Sequence, residues 1–291
     1  SAVLLFSITL CLFFTACGGK EVKWGGYAGT MEGYEYCYEE GRNREWEEDV
    51  LALSENFLRY HLFLTEAESM IYVEDKTVEW RSLFKEEVRQ AFLREINSLI
   101  PEIEELSDKE ILFELQKAVA VLGDAHSKVA LDTEPFFPVS FQPFWEDGKW
   151  ELRAVVLPEE WKEVLYARLI SINDIPVQEV LDRIDPYLSY ENTEWAIHQC
   201  VNDVGGEWIV QRDMLERTGV LGDGDAQAQF TFQDEQAQEI TVTLSAVTLQ
   251  EYFELDLEYR NAYATYSLLY ADWVTANYRY QMMPEEDMVY I

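Results

Sequence analysis

Apolar residues recur at helical spacing in the first part of the chain. The first series is Trp46, Val50, Leu53, Phe57, Tyr60 and Leu64. A second series is Trp80, Phe84, Val88, Ala91, Phe92, Ile96 and Leu99. Positions three or four residues apart share one face of a helix, so each series predicts an amphipathic helix.

A third helix has the best-defined ends. Ser107 followed three residues later by Glu110 is the pattern of a capping box, in which each side chain bonds the other residue's backbone N–H. Its apolar face comprises Ile111, Leu115, Val119 and Leu122. Gly123 then ends the helix, because glycine readily takes the left-handed conformation found there. Residues 45–134 are therefore predicted to form a helical domain.

The pattern then changes to an alternation of apolar and polar residues. Segments 137–144 and 150–156 both alternate, and they flank the dipeptide Asp147-Gly148. Alternation is typical of half-buried strands, and Asp-Gly is a favoured two-residue hairpin turn. These segments therefore predict a β-hairpin.

Another strand is predicted over residues 168–173, which end in a tight turn at Asn173-Asp174. Pro176 then opens a short helix, because its fixed φ suits the first helical turn. A strand, a tight turn and a short helix following a hairpin predict a compact β-rich module over residues 135–187.

The remaining residues return to helices and strands. Segment 188–258 is predicted to contain helices over 190–218 and a hairpin of 227–232 with 239–246, and segment 259–291 an aromatic-rich helix over 259–277. The chain ends on an apolar strand, Met288–Ile291. Since such a strand would leave an unpaired edge, we expect the sequence to be truncated. The fold class predicted from the whole pattern is α+β.

The N-terminus has the features of an export signal. Residues 2–14 form an uncharged apolar run, shorter than the roughly 20 residues that span a membrane, and Thr15-Ala16-Cys17 follows. This end resembles a bacterial lipobox, which implies a signal peptide over 1–16, acylation of Cys17 and a tether over 17–44. The alternative is a short membrane anchor that is never cleaved. Both alternatives predict an extracytoplasmic, membrane-anchored protein.

Composition narrows the range of partners and cofactors. The chain has 22 Lys and Arg against 56 Asp and Glu, which gives a net charge of −34. Because binding to phosphates needs a basic surface, we do not expect nucleic acid as a partner. Its 48% hydrophobic residues indicate a globular protein and not a disordered acidic tail. Cys37 and Cys200 could pair outside the cytoplasm or remain unrelated. No histidine or cysteine has metal-ligand spacing, and we expect neither a metal nor a cofactor.

Five segments carry a resemblance to a known family. The capped helix 106–127 runs into Gly-Asp-Ala-His-Ser, and 169–180 reads Leu-Ile-Ser-Ile-Asn-Asp-Ile-Pro-Val-Gln-Glu-Val. Shorter matches are 190–192, 215–220 and 286–291. The chain resembles the N-terminal half of tail-specific (C-terminal processing) serine peptidases of the tricorn-like branch. One departure is Asp174, where the family has a turn glycine, although Asp tolerates the left-handed conformation.

The resemblance implies a division of functions. The β-rich module would be a PDZ-like domain that binds an extended or unstructured polypeptide by adding it as a strand. His126 would be the general base, since an imidazole can accept a serine proton near neutral pH, and Ser127 is a candidate secondary contact. The nucleophilic serine would belong to a later α/β domain, whose first strand matches 286–291.

Other residues with suggestive chemistry have simpler interpretations. His126 could equally be a loop histidine that bonds the backbone. His61, beside Tyr60 and Leu64, is predicted to be structural, and His198 receives no role. Gly222-Asp-Gly-Asp225 lacks the further oxygen ligands of a calcium loop and is interpreted as a turn.

Two functions follow from the sequence. The first is the N-terminal portion of a lipid-anchored serine peptidase. Because no serine lies in a Gly-x-Ser-x-Gly segment, the chain alone is predicted to be inactive. The second is a non-catalytic surface lipoprotein that uses the same architecture to bind peptides or protein partners.

Overall fold

The computed structural model describes residues 41–72, 78–129, 131, 135–146, 148–202, 208–255, 281–283 and 288–290. They belong to two compact units, one within residues 1–132 and 185–196, the other within 133–184 and 197–291. The combination of helices with an antiparallel sheet confirms the predicted α+β class. The predicted signal peptide, Cys17, Cys37 and the helix expected at 259–277 lie outside the described residues.

The first unit is mainly helical. Its elements are α1 (Arg42–Tyr60), β1 (Glu68–Tyr72), β2 (Val78–Ser82), α2 (Glu86–Leu99), α3 (Asp108–Ala120) and 3-10 turns at Ile100–Glu102 and Asp185–Tyr187. The helices bury one common core, which includes Trp46, Val50, Phe57, Phe92, Ile96, Ile111, Leu115 and Val119. In α1 four of the predicted positions are buried, but Tyr60 is 57% exposed and the buried Leu64 lies beyond the end of the helix. Helix α3 buries its predicted positions and, in addition, Leu112, Phe113, Gln116 and Ala118.

Helix α3 begins at the predicted capping box and ends two residues earlier than predicted. The Ser107 Oγ accepts from the Glu110 N–H at 3.3 Å, and the Ser107 N–H donates to Glu110 Oε2 at 2.8 Å, which completes the capping box. The helix ends at Ala120, and Gly123 has a φ of +61°. A rigid helix with a sharp end therefore places the residues that follow Gly123.

The second predicted helix is shorter than its apolar spacing indicated. Trp80 lies in β2, which pairs antiparallel with β1 so that Trp80 is opposite Met70, and α2 begins only at Glu86. The spacing of Trp80 and Phe84 fits a helix, but a strand partner 10 residues away decides the conformation of Trp80. The prediction of one helix over 80–99 was therefore wrong for its first six residues.

The second unit is built on an antiparallel sheet. Its strands are β3 (Ser140–Glu146), β4 (Lys149–Val156), β5 (Arg168–Ile172), β6 (Ile175–Pro176), β7 (Gln227–Gln233) and β8 (Glu239–Ser245). The order is β3-β4-β5-β7-β8, with β6 paired to β5. The two predicted hairpins are both present. The sequence placed them in separate segments, 135–187 and 188–258, whereas β5 and β7 join them in one sheet.

Phenylalanines fill the core beneath this sheet. The rings of Phe137 and Phe230 meet edge-to-face at 5.6 Å, and Phe141 stacks against Phe232 at 6.4 Å. All four side chains are completely buried. Such ring pairs add to the free energy gained by burying apolar area, so they fix the positions of the strands that carry them.

The turn between β5 and β6 has the predicted conformation. Asn173 and Asp174 have φ values of +49° and +63°, as a two-residue hairpin turn requires. The Asn173 side chain also accepts from the Gln229 N–H at 2.8 Å and donates to the Val220 carbonyl at 3.0 Å. The turn therefore ties β5 to two other parts of the second unit.

The two edges of the sheet differ. Strand β3 contains Pro143 in its middle and a register shift between Ser140 and Phe141. Proline is tolerated within a strand only at an edge, where it blocks further pairing. Strand β8 contains no proline, and no described strand pairs with its outer side. Only the β8 edge therefore retains the backbone groups needed to receive another strand.

Shorter helices complete the second unit and the region before it. They are α4 (Val177–Ile184), α5 (Thr193–Asn202), α6 (Arg212–Arg217), 3-10 turns at Glu159–Val164 and Trp208–Val210, and a helical segment over 249–255. A last hairpin consists of β9 (Gln281–Met283) and β10 (Met288–Tyr290), so the strand predicted at the end of the chain is present. Among the described helices, none has the length and apolarity to cross a bilayer.

Candidate functional site

The candidate site is the turn that follows helix α3. Residues 124–127 form this turn, closed by a 3.0 Å hydrogen bond from the Ser127 N–H to the Asp124 carbonyl. His126 lies at its outer side with 70% of its side chain exposed. A substrate group or a ligand can therefore reach the imidazole without any rearrangement of the first unit.

Asp124 is the organising residue of the turn. Its Oδ2 accepts from the Ser127 Oγ at 2.7 Å and lies 3.2 Å from the His61 Nε2, while its Oδ1 accepts from the His126 N–H at 3.1 Å. Two donors from the turn itself and one from the end of α1 thus hold one carboxylate. Such a carboxylate has a fixed orientation, because rotation would break several bonds at once.

The contacts of His61 determine its tautomer. The Phe63 N–H donates to His61 Nδ1 at 3.3 Å, so this nitrogen is the acceptor. The proton is then on Nε2, which donates to Asp124. The ring also stacks on Phe57 with centroids 5.9 Å apart. His61 is structural, as expected, and its specific task is to hold the aspartate of the candidate site.

These donors change the acidity of Asp124. The hydrogen bond from His61 is the main reason that the pKa of this carboxyl lies far below its usual value, although partial burial opposes the shift. The bonds from Ser127 and the His126 backbone lower the pKa further. Asp124 is therefore ionised throughout the pH range in which an imidazole titrates.

Asp124 also lies beside the imidazole of His126. The distance from His126 Nδ1 to Asp124 Oδ1 is 3.6 Å, which is too long for a hydrogen bond. The hydroxyl of Ser127 donates to Asp124 Oδ2 at 2.7 Å. The sequence had marked Ser127 as a secondary contact, and the contact it makes is to the aspartate.

A second segment of the first unit completes the site. Glu191 Oε1 accepts from the Ala125 N–H at 3.0 Å. Glu191 lies in the matched segment 190–192, but no sequence pattern assigned it to the turn. Its pattern of an acidic residue between Tyr190 and Asn192 resembles many surface loops, so only the folded chain shows the contact.

Gln116 holds the two segments in place. This residue of α3 is completely buried, and its Nε2 donates to the Tyr187 carbonyl at 2.7 Å. Its Oε1 accepts from the Val129 N–H at 2.7 Å. One amide therefore bonds the chain on both sides of the site, three residues after His126 and four before Glu191. Sequence reasoning missed it, since an isolated glutamine carries no local signal.

The other residues considered from the sequence lie elsewhere. His198 is exposed on α5, and Cys200 is buried on the same helix. The Gly222–Asp225 segment forms a turn between α6 and β7, with Asp225 N–H bonded to the Gly222 carbonyl at 3.1 Å.

A separate feature of the second unit is a shallow cleft along strand β8, which we call the β8 cleft. It has a volume of about 340 Å³ and is lined by Pro138, Trp161, Thr243, Leu244, Val247 and Leu255, among others. Leu255 belongs to the helical segment 249–255. The cleft therefore places apolar side chains next to the unpaired edge of the sheet.

Comparisons with known proteins give a limited result. No family model matches the chain, and no curated protein matches it. Among solved structures, it is similar to CPAF, a Chlamydia serine protease related to tail-specific proteases. The mature CPAF–lactacystin complex has a TM-score of 0.45 and 12% identity, covering 71% of this chain and 35% of that one.

Two further CPAF structures give similar values. Mature CPAF alone has a TM-score of 0.41 and 12% identity, with coverage of 72% of this chain and 36% of that one. A serine-to-alanine mutant has a TM-score of 0.44 and 14% identity, with coverage of 78% and 39%. The chain thus spans well under half the length of these proteins.

Proposed function

We propose that this chain is the N-terminal portion of an extracytoplasmic, lipid-anchored serine peptidase of the tail-specific type. In the complete enzyme, His126 acts as the general base for a serine outside the 291 residues. The second unit acts as a PDZ-like module that binds an extended polypeptide, and Cys17 carries the lipid that attaches the protein to the membrane.

The observation that carries the proposal is the pairing of an exposed imidazole with a fixed, ionised aspartate. A general base must be accessible and must have one ring nitrogen near a group that stabilises the protonated form. His126 is accessible, and Asp124 Oδ1 lies 3.6 Å from its Nδ1. The Nε2 of the same ring then remains to accept the proton of the serine.

Peptide binding is supported by the β8 edge. An extended peptide can add to an unpaired strand through backbone hydrogen bonds while alternate side chains enter neighbouring pockets. Thr243 and Leu244 of β8 line the β8 cleft, so pairing and side-chain recognition would occur at the same place. Glu160 and Glu251 also line it, which favours peptides that carry lysine or arginine.

The test begins with the gene. The reading frame is followed beyond the codon for Ile291, and the full product is assayed for cleavage of an unstructured protein such as casein. The variant His126→Ala should reduce kcat by at least about a hundredfold. The matched control His198→Ala changes an exposed histidine on α5 and should leave kcat unchanged. Equal rates for wild type and His126→Ala would overturn the role of His126.

The second candidate function is a non-catalytic lipoprotein that binds peptides. The β8 edge favours it, because strand addition needs no nucleophile. A stop codon directly after Ile291 together with peptide binding that is lost in Trp161→Ala would support this candidate. Cleavage that depends on His126 would eliminate it.

A further inference from the structure

Three side chains of the candidate site converge on one point. Asp124, His126 and Glu191 each present one potential ligand atom, and these atoms all lie within 4.8 Å of one another. Two carboxylates and one imidazole from two separate segments of the first unit thus face the same space. The same His126 ring is the general base of the proposed peptidase, so a cation bound to its Nδ1 would keep the ring from accepting a proton and would block that activity.

The spacing of these atoms suits a small cation. Zinc bonds of about 2.0–2.2 Å in a tetrahedron separate the ligand atoms by roughly 3.4 Å. Asp124 Oδ1 and His126 Nδ1 are already 3.6 Å apart. The other separations are at most 4.8 Å, and a rotamer adjustment of the exposed Glu191 side chain can shorten them.

Asp124 is oriented as metal-binding carboxylates are. Its Oδ2 receives both the His61 and the Ser127 hydrogen bonds, which occupy the two lone pairs of that oxygen. Its Oδ1 receives only the His126 N–H and keeps a lone pair. Outer hydrogen bonds that hold a ligand in one orientation are a regular feature of metal sites.

The two carboxylates of the site are also close to each other. Their ligand atoms lie within 4.8 Å, and two negative charges at that distance repel each other. A bound cation would reduce that repulsion.

We propose that Asp124, His126 and Glu191 bind a first-row divalent cation of the zinc class. One imidazole with two carboxylates is a ligand set that suits Zn²⁺, whereas Ca²⁺ and Mg²⁺ prefer oxygen ligands alone. The cation bridges the turn after α3 to the segment 185–196, and solvent completes its coordination.

The probe is Co²⁺, which replaces Zn²⁺ in such sites and absorbs visible light. The full chain without a histidine tag is titrated with Co²⁺, and Zn²⁺ is then added as a competitor. We expect a saturable absorption band of one equivalent that Zn²⁺ abolishes, together with a rise in the thermal midpoint of the first unit.

Three variants locate the cation. Glu191→Gln keeps the acceptor for the Ala125 N–H and should weaken binding at least tenfold, as should His126→Asn. The control Glu194→Gln changes an exposed carboxylate three residues further on and should not alter the affinity. Circular dichroism verifies that each variant is folded.

Three results would overturn the proposal. They are the absence of a saturable band in the wild type, an intense near-ultraviolet band that places Co²⁺ on a cysteine thiolate, and equal affinity of Glu191→Gln and the wild type. Because no cleavage is measured, each result leaves the peptidase proposal to be decided by its own assay.

Discussion

His61 Nε2 lies 3.2 Å from Asp124 Oδ2, so the residue that ends the first helix holds the turn after the third. The two residues are 63 positions apart in the sequence. Their hydrogen bond fixes the aspartate on which the backbone of His126 depends. The stability of this contact can therefore be measured separately from any activity.

Replacement of Asp124 by asparagine should destabilise the first unit. Asp124→Asn removes the charge that strengthens the bonds from His61 and Ser127, and hydrogen bonds to a charged group contribute about 1.5–3 kcal/mol. We expect the free energy of unfolding in urea at pH 7 to fall by about 1–3 kcal/mol. The control Glu104→Gln, on an exposed loop, should change it by less than about 0.5 kcal/mol.

The same contact predicts a dependence on acid. The pKa of Asp124 is lower in the folded protein than the value of about 3.9 in an unfolded chain. Its contribution to stability is therefore complete above about pH 4 and is lost as the pH falls toward the folded pKa. Below pH 4 the wild type should lose stability more steeply than Asp124→Asn. Parallel curves of unfolding free energy against pH would contradict this assignment.

Replacement of Gln116 by an apolar residue of similar size should destabilise the first unit. Gln116→Met leaves the Val129 N–H and the Tyr187 carbonyl without their partners, each at a cost of about 1–3 kcal/mol. We expect a loss of about 2–4 kcal/mol, measured by urea unfolding. Gln90→Met on the exposed face of α2 is the matched control, and an equal loss in both variants would contradict the argument.

The two turn residues Asn173 and Asp174 should respond oppositely to glycine. Asn173→Gly loses two side-chain bonds and should cost about 1–3 kcal/mol. Asp174→Gly removes the strain of a left-handed conformation, which costs about 1–2 kcal/mol for a residue with a side chain. The substitution also increases the entropy of the unfolded chain, and this opposes the gain. Its expected effect is between zero and a gain of about 1 kcal/mol. Thermal unfolding of both variants distinguishes them.

Glu151 of β4 joins this strand to β5 through a buried charge. Its side chain is 7% exposed, and its Oε1 accepts from Arg168 Nη1 at 2.6 Å. Burial tends to raise the pKa of this carboxyl, but the bond and charge of Arg168 outweigh it, with help from Lys149 and Arg153, and the pKa lies below its ordinary value. The contribution of Glu151 to the free energy of unfolding is therefore present above about pH 4.3, the ordinary pKa of a glutamate. It is lost as the pH falls toward the lower pKa of the folded protein.

Glu151→Gln should lower the free energy of unfolding of the second unit by about 1–3 kcal/mol at pH 7, because Arg168 loses its charged partner. Water reaches the Arg168 side chain, which is 30% exposed. Glu146→Gln removes an exposed partner of Arg153 and should cost less than about 0.5 kcal/mol. The measurement is the urea midpoint of each variant. Similar urea midpoints for Glu151→Gln and Glu146→Gln would show that the buried ion pair stabilises the protein no more than the exposed one.

Local features of the fold could be predicted from the sequence. The capping box of Ser107 and Glu110, the left-handed turn at Asn173-Asp174 and both hairpins of the second unit have signals within ten or so residues. In each case the residues that carry the signal also make the contact, so spacing alone is informative.

The long-range contacts could not be predicted in this way. Trp80 fits a helix by spacing but lies in a strand, because its partner β1 was not identified. The contacts of Asp124 with His61 and of Ala125 with Glu191 join residues more than sixty positions apart. Side-chain bonds of this kind depend on how helices pack, which a periodicity of three or four residues does not encode.

Pro143 has a consequence for the symmetry of any assembly through the sheet. Growth of a sheet into a fibre requires two receptive edges on each copy, one at each end. Here Pro143 closes the β3 edge and leaves β8 as the receptive one among the described strands. Two copies joined β8 to β8 would be related by a twofold axis and would expose only their closed edges, so such an assembly stops at a dimer.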